Sequence, residues 1–448
     1  MRPPSVRHIA GHGRAGRQAV GHPCAASDSP DGCSLLPGLQ DPSRQELANG
    51  NQVVSLALEQ APLVCIDFWC RAGSSFEAEP ESGLAHFLEH MVFKGSQRQA
   101  AGEFDRRIEA LGGSSNAATG FDDVHYHVLI PPTAAQEALE LLLDLVLQPR
   151  LDGEDFAMER QVVLEELAQS EDQPEEVALQ RLLALACGDH PYGLPILGRR
   201  EALLEHRPAA MAAFHRRLYG GGRCVLALTG AVADGSLIER ACSGALADLA
   251  EADDPPPPPS LRTGSGEERL ALPRLEAARL LMAWGQPPAR DLDDLMGADL
   301  ATSLLAEGRR SRLVERLREQ LRIVESVDLD LHPMESGSLA LLEAVCDPED
   351  LPAVRTAIQA VWQELMEEPV GPAEWARIQR LVGNSYRFGM EAAGGVAGLI
   401  GTSHLWGRHG SLDEPLRALA GWSPERLRQE ALPRLDPQRA FLLEAVPA

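Results

Sequence analysis

Residues 83–91 read Gly83-Leu84-Ala85-His86-Phe87-Leu88-Glu89-His90-Met91, and the rest of the chain can be organised around them. The stretch predicts a helix in which His86 and His90, four positions apart, project from one face. Two imidazoles at this spacing can hold one zinc ion, and the carboxylate of Glu89 beside them can accept a proton from a water on the metal. The stretch therefore predicts a metal centre, with a chance coincidence on a structural helix as the competing interpretation.

Length and composition restrict the class of protein. The chain has 448 residues, of which 44% are hydrophobic, and this is enough for two or more domains with proper cores. Its net charge of −25 disfavours nucleic acid and anionic membranes as partners, because both would repel it. No apolar run approaches the length of a membrane span. The eight cysteines are scattered without a Cys-x-x-Cys pair, which favours a reducing compartment, so we expect a cytoplasmic protein.

The chain divides into a leader, two domains and a linker. Residues 1–42 are rich in Arg, Gly, Pro and Ser and predict a disordered leader, although an organelle transit peptide would share this composition. A Pro-rich linker over 253–265 separates a metal-bearing domain at 43–252 from a second domain at 266–448. The second domain repeats the order of strands and helices of the first, without the two histidines. We therefore predict an α+β fold of two duplicated domains, each a mostly antiparallel sheet backed by helices.

A catalytic zinc site needs a third protein ligand, because zinc commonly takes three and leaves the fourth position to water. The predicted helix over 152–170 carries Glu159, Glu165 and Glu166. Glu159 and Glu166 are seven residues apart and share a face, whereas Glu165 points elsewhere. One carboxylate of the pair could bind the metal while the other supports the site from behind. The alternative is a solvated acidic helix without a function.

The motif His-x-x-Glu-His is that of the inverzincins. The chain resembles the pitrilysin-like metallopeptidases, in particular the half-length, two-domain members related to mitochondrial processing peptidase, over roughly residues 45 to 440. The family signature is matched by His86-Phe87-Leu88-Glu89-His90-Met91-Val92-Phe93-Lys94-Gly95. Two further stretches resemble recurrent segments of the family, namely Gly112-Gly113-Ser114-Ser115-Asn116-Ala117 and His190-Pro191-Tyr192-Gly193-Leu194-Pro195-Ile196-Leu197-Gly198.

The resemblance implies a zinc-dependent endopeptidase with one zinc ion per chain. The implied metal ligands are His86, His90 and Glu166. Glu89 would act as general base on the water, and Glu159 would belong to the catalytic machinery by orienting a ligand. Asn116 and its strand would hold a peptide substrate, or an unfolded segment of a protein, in extended form.

The second domain departs from the family pattern at one position. Members with a complete active site carry an Arg, followed by a Tyr, that both reach the substrate. Arg318 fits the Arg position, but Glu325 stands at the Tyr position. An ionised Glu cannot donate a hydrogen bond to a developing oxyanion. The resemblance therefore implies a heterodimer in which a related subunit supplies the Arg and the Tyr, with a homodimer as the alternative.

Two other functions stay open at this point. The same fold occurs in non-catalytic scaffold or assembly subunits, which the complete set of metal-site residues disfavours here. A zinc hydrolase that acts on something other than peptides would use the same residues.

Overall fold

The computed structural model describes residues 40–151, 153–250 and 257–448. The predicted leader at 1–42 lies almost wholly outside the described residues, and so does the start of the predicted linker at 253–265. The predicted domain boundaries therefore stay predictions. Among the described residues, no helix combines the length and the apolarity that crossing a membrane requires.

The first half of the chain forms one sheet with helices packed against it. Its strands are β1 (Ser43–Glu46), β2 (Gln52–Ala57), β3 (Val64–Cys70), β4 (Ser114–Thr119), β5 (Val124–Ile130) and β6 (Cys224–Gly230). Its helices are α1 (Leu84–Val92), α2 (Glu103–Ala110), α3 (Ala135–Leu147), α4 (Gly153–Glu171), α5 (Pro174–Cys187), α6 (Arg200–Glu205), α7 (Pro208–Leu218) and α8 (Ser236–Cys242). The described strands pair in the order β1-β2-β6-β3-β5-β4, and β4 is an edge strand.

The second half forms another sheet. Its strands are β7 (Gly266–Leu272), β8 (Ala278–Gln286), β9 (Ser326–His332), β10 (Ser338–Cys346) and β11 (Phe441–Pro447). Its helices are α9 (Leu292–Ala306), α10 (Leu351–Glu367), α11 (Pro372–Gly389), α12 (Ala393–Leu405), α13 (Glu414–Ala420) and α14 (Pro424–Arg426), with π-helical segments at Val314–Leu321 and Leu427–Ala431. The described strands pair in the order β7-β11-β8-β10-β9.

The two sheets share one topology. Apart from β1, each places its strands in the spatial order first, last, second, fourth and third. In each sheet the first and last of these strands pair in parallel, while the other pairs are antiparallel. This shared order confirms the predicted α+β fold of two duplicated domains with mostly antiparallel sheets.

Strand β5 shows how the sequence separates the two faces of the first sheet. Val124, Tyr126 and Val128 are fully buried and belong to the core that α1 and α3 also enter. His125 and His127 alternate with them and are only half-buried. Successive side chains of a strand point to opposite faces, so both histidines lie on the face away from α1.

Each half covers part of the other half's sheet with a helix. Helix α12 packs on the face of the first sheet away from α1, where the hydroxyl of Thr229 donates to the carbonyl of Ala393 at 2.7 Å. Gly401 permits this close approach, because a Cβ there would lie 2.4 Å from the ring of Trp69. Helix α5 covers the second sheet in the same manner, through Ala178 and Leu182. Apolar surface buried in both contacts stabilises the association of the two halves.

Candidate metal centre

Helix α1 carries the two histidines and is held in the core by its apolar side chains. Those side chains are Leu84, Phe87, Leu88, Met91 and Val92, each fully buried. Burial of each contributes about 1.5–3 kcal/mol, so the helix has little freedom to move. Gly83 precedes it with φ of 83°, and a Cβ at this position would lie 2.7 Å from the carbonyl oxygen of Leu197. Glycine is therefore required where the chain enters α1.

The side chain of Glu77 takes the place of an N-cap for α1. Its two carboxylate oxygens accept hydrogen bonds from the backbone N–H groups of Gly83 at 2.9 Å and Ala85 at 2.7 Å. Backbone N–H groups at a helix start have no partner within the helix, so a carboxylate there satisfies them. Burial raises the pKa of Glu77 to about 8 against the opposing effect of these hydrogen bonds. Glu77 therefore positions the first turn of the helix that presents His86.

We expect Glu77→Ala to lower the midpoint of thermal unfolding by several degrees. The change leaves two backbone donors without acceptors, at a cost of about 1–3 kcal/mol each. Glu79→Ala is the matched control, because Glu79 is exposed in the same loop. Differential scanning calorimetry of both variants checks the prediction, and equal midpoints would show that Glu77 does not hold α1.

The structure brings His86, His90 and Glu166 together. Helix α4 packs beside α1, and Oε2 of Glu166 lies 3.7 Å from Nε2 of His86 and 3.4 Å from Nε2 of His90. One potential ligand atom from each residue lies within 4.8 Å of the others. Ligand atoms of a tetrahedral zinc site lie about 3.3 Å apart, given metal–ligand bonds of about 2.0–2.1 Å. The three residues therefore form a group that could hold one metal ion.

The charge states of His86 and Glu166 suit metal ligands, whereas His90 has to release a proton on binding a metal, because its carboxylate neighbours raise its pKa. Burial and the neighbouring His90 lower the pKa of His86 to about 4, so its imidazole is neutral. Hydrogen bonding and the charges of the histidines outweigh burial and lower the pKa of Glu166. Neutral imidazole and ionised carboxylate are the forms that bind metals. Two nitrogens and one oxygen are also the donor set of catalytic zinc sites, so these residues fit zinc.

Behind the cluster, Glu159 supports His90. Oε1 of Glu159 lies 3.0 Å from Nδ1 of His90, and Oε2 lies 2.5 Å from Nζ of Lys94. Burial alone would lower the pKa of His90, but hydrogen bonds to Glu159 and Glu166 raise it to about 9. A carboxylate bonded to the far nitrogen of a histidine fixes the ring so that Nε2 faces the metal. Glu165, by contrast, is exposed to solvent on α4.

Glu89 stands beside the ligand set and outside it. Its carboxylate accepts a hydrogen bond from the hydroxyl of Thr119 at the end of β4. Burial raises the pKa of Glu89, against the lowering effect of that hydrogen bond and of His90. A half-buried carboxylate with a raised pKa accepts a proton more readily than a solvated one.

The remaining site residues predicted from sequence lie apart from one another. Asn116 is exposed on the edge strand β4, whose far end carries Thr119. Arg318 lies in the π-helical segment of the second half, where its guanidinium donates to Glu319 at 3.0 Å. Glu325 is exposed just before β9. The structure thus brings β4 to the cluster, whereas the contacts of Arg318 lie within the second half.

Sequence reasoning overlooked three residues that support the cluster, namely Glu77, Lys94 and Thr119. Lys94 is the sole lysine of the chain and lies four residues after His90. Its uniqueness and its position next to the histidine motif were the signal that could have assigned it to the site. Thr119 is buried on the face of β4 that turns toward α1. Nothing in the local pattern singles out Thr119, since its partner depends on how α1 meets the sheet. Glu77 binds backbone groups six and eight residues later in the chain, a spacing outside the usual capping patterns.

Two family descriptions match the chain. Residues 52–200 match the model for insulinase, peptidase family M16, and residues 207–382 match the model for the peptidase M16 inactive domain. A protein of Mycobacterium bovis named as an uncharacterised zinc protease is 29% identical over 386 residues, which cover 84% of this chain and 87% of the relative. A protein of Streptomyces coelicolor with the same description is 27% identical over 403 residues, covering 88% and 87%.

A shorter similarity joins the chain to a probable mitochondrial-processing peptidase subunit beta of Arabidopsis thaliana. The two are 31% identical over 194 residues, which cover 43% of this chain and 36% of the relative. The crystal structure of a protease from Helicobacter pylori superposes with a TM-score of 0.85 at 24% identity and covers 91% of this chain and 100% of its own. At 24% sequence identity, this superposition is evidence for a shared fold alone. On the family matches, the relatives and the shared fold together, the chain belongs to the pitrilysin-like insulinase family, peptidase family M16.

Proposed function

We propose that the chain is a zinc-dependent endopeptidase that hydrolyses peptides or unfolded segments. The observation that carries this proposal is the convergence of His86, His90 and Glu166, with the carboxylate of Glu89 left beside them and outside the ligand set. The relatives named as zinc proteases support the same chemistry.

His86, His90 and Glu166 would hold one zinc ion per chain. Zinc, when bound, would polarise the scissile carbonyl and bring the pKa of a water to about 7. Glu89 takes the proton of that water as the water attacks the carbonyl, and then returns it to the leaving amine. Thr119 holds the Glu89 carboxylate in place through its hydroxyl. Glu159 keeps the ring of His90 oriented, and Lys94 keeps Glu159 charged.

Strand β4 would hold the peptide. It is the edge of its sheet among the described strands, so its outer backbone groups can pair with an extended chain. Asn116 lies in its middle, and Thr119 ends it beside Glu89. A peptide paired along β4 would therefore run past the general base, and this favours unfolded substrates over folded ones.

We expect Glu166→Gln to lower both zinc affinity and peptide hydrolysis by more than about tenfold, because a neutral amide replaces an ionised ligand. Glu165→Gln is the matched control on the same helix and should change neither quantity. Zinc titration of the metal-free variants and hydrolysis of a fluorogenic peptide library provide the two measurements. A larger effect of Glu165→Gln than of Glu166→Gln would contradict the assignment and identify Glu165 as the third ligand.

The competing function is a non-catalytic subunit of the same fold. The observation in its favour is the match of residues 207–382 to a domain described as inactive. Zinc bound by His86, His90 and Glu166, together with peptide cleavage, separates the two, because a scaffold has no need of a metal at that place. A zinc hydrolase for other substrates would bind zinc and leave the whole peptide library intact.

We further propose that the active form is a heterodimer with a related chain. Glu325 stands where a hydrogen-bond donor would be needed, and Arg318 has its contacts within the second half of its own chain. The Arabidopsis relative is named as a subunit, which supports an assembly of related chains. A partner bearing both Arg and Tyr would complete the site around the substrate carbonyl.

Adding such a partner to the isolated chain should raise peptide hydrolysis at least tenfold. Glu325→Tyr should raise the activity of the isolated chain, and Glu325→Gln, which removes the charge without adding a phenol, is its control. Size-exclusion chromatography with light scattering identifies the assembly. Full activity of the isolated chain as a homodimer, unchanged by the partner, would contradict the heterodimer.

A further inference from the structure

A second group of metal-binding side chains lies on the face of the first sheet away from α1. His125 and His127 alternate with the buried residues of β5 and share this face. Asp67 of β3 stands directly opposite His127 in the antiparallel register. Opposite residues of neighbouring strands have Cβ atoms about 4.5–5.5 Å apart and diagonal neighbours about 7–8 Å, so the Asp67 carboxylate can reach His127 directly and His125 on the diagonal.

The geometry of this group suits a single cation. Nδ1 of His125 lies 3.2 Å from Oδ1 of Asp67, close to the separation of about 3.3 Å between two ligands of one tetrahedral metal. One potential ligand atom from each of Asp67, His125 and His127 lies within 4.8 Å of the other two. The two imidazole rings are stacked at 5.6 Å, and the ring of Trp69 stacks on His125 at 4.2 Å. Stacking against Trp69 and His127 restricts the orientation of the His125 ring in the metal-free protein.

Burial and charge at this place also favour a cation. Asp67 is only 3% exposed, and its carboxylate is hydrogen-bonded to Nδ1 of His125, a contact that a cation bound to both side chains would replace. Asp123, two residues before His125 in the chain, adds a further acidic group near this ring. Arg71 is already paired with Glu335. His125 keeps 23% of its side chain exposed, which leaves a route from solvent.

We propose that Asp67, His125 and His127 form a second binding site for a divalent transition-metal ion. Two imidazoles and one carboxylate suit zinc and its neighbours in the first transition row better than calcium or magnesium, which prefer all-oxygen sites. The site shares no ligand with the cluster on α1 and lies on the other face of the sheet. It therefore does not depend on the proposed peptidase function.

The test uses the full chain with His86→Ala and His90→Ala, in which the α1 site is disabled. Metal-free protein is titrated with zinc in competition with a chromophoric chelator, and we expect about one equivalent to bind. Adding His127→Ala should weaken this binding more than about tenfold, since even residues that only support ligands have such effects. His409→Ala in the same background is the control, because His409 is exposed and lies outside the group. A conservative His127→Gln variant, with circular dichroism, separates lost binding from lost folding.

Trp69 provides a second, local readout. Its ring stacks on His125, so binding of Co²⁺ should quench part of the tryptophan fluorescence of the His86→Ala, His90→Ala chain. The same titration of a Trp69→Phe variant should show markedly less quenching, although five other tryptophans are present. Failure of the parent to bind zinc, or equal zinc affinity with and without His127, would overturn the proposal. Neither result bears on peptide hydrolysis, which this parent cannot perform.

Discussion

Glu89→Gln should retain zinc and lose about 10²–10⁴-fold in kcat, the range that a general base contributes. The amide keeps the shape of the side chain and can still accept a hydrogen bond from Thr119, so the packing of α1 should persist. It cannot take up the proton of the attacking water. Because Glu89 lies outside the ligand set, zinc affinity should stay within a few fold of that of the unchanged chain.

Single-turnover peptide hydrolysis and zinc titration measure the two quantities separately. Glu109→Gln is the matched control, since Glu109 is an exposed glutamate on the neighbouring helix α2. If Glu89→Gln cleaved peptides at a near-normal rate with zinc bound, Glu89 would have no part in proton transfer. If it lost zinc as well, Glu89 would belong to the ligand set.

Replacing His86 and His90 together by Ala should remove zinc from the α1 site and abolish peptide hydrolysis. Two of three protein ligands disappear, and the remaining carboxylate of Glu166 cannot hold the metal alone at neutral pH. The measurement is best made in a chain that also carries His127→Ala, so that binding at the second proposed site does not enter the count. The His127→Ala chain should then bind about one zinc, and the triple variant none.

Thermal unfolding gives an independent readout of the same change. A metal that binds the folded state raises the unfolding midpoint in proportion to RT ln(1 + [L]/Kd). Added zinc should therefore raise the midpoint of the His127→Ala chain and leave that of the triple variant unchanged. An equal rise in both would mean that the stabilising zinc binds somewhere other than the α1 site.

The sequence alone determined the local parts of the site. A helix repeats every 3.6 residues, so the spacing of His86 and His90 placed both rings on one face without knowledge of the fold. The same periodicity put Glu159 and Glu166 on one face of α4 and Glu165 on another, and their burial agrees with this arrangement. The repeated order of strands and helices likewise indicated two duplicated domains, which the shared strand order confirms.

Other features were decided by the tertiary structure. The parallel pairing of β2 with β6 joins segments far apart in the chain and leaves no periodic signal in either strand. The partners of Lys94 and Thr119 depend on where α1 meets α4 and β4. The approach of Asp67 to His127 depends on the register of β3 against β5. The physical reason is common to all of them. Hydrogen-bond geometry within a segment sets its period, whereas the pairing of distant segments is set by which apolar faces can be buried together.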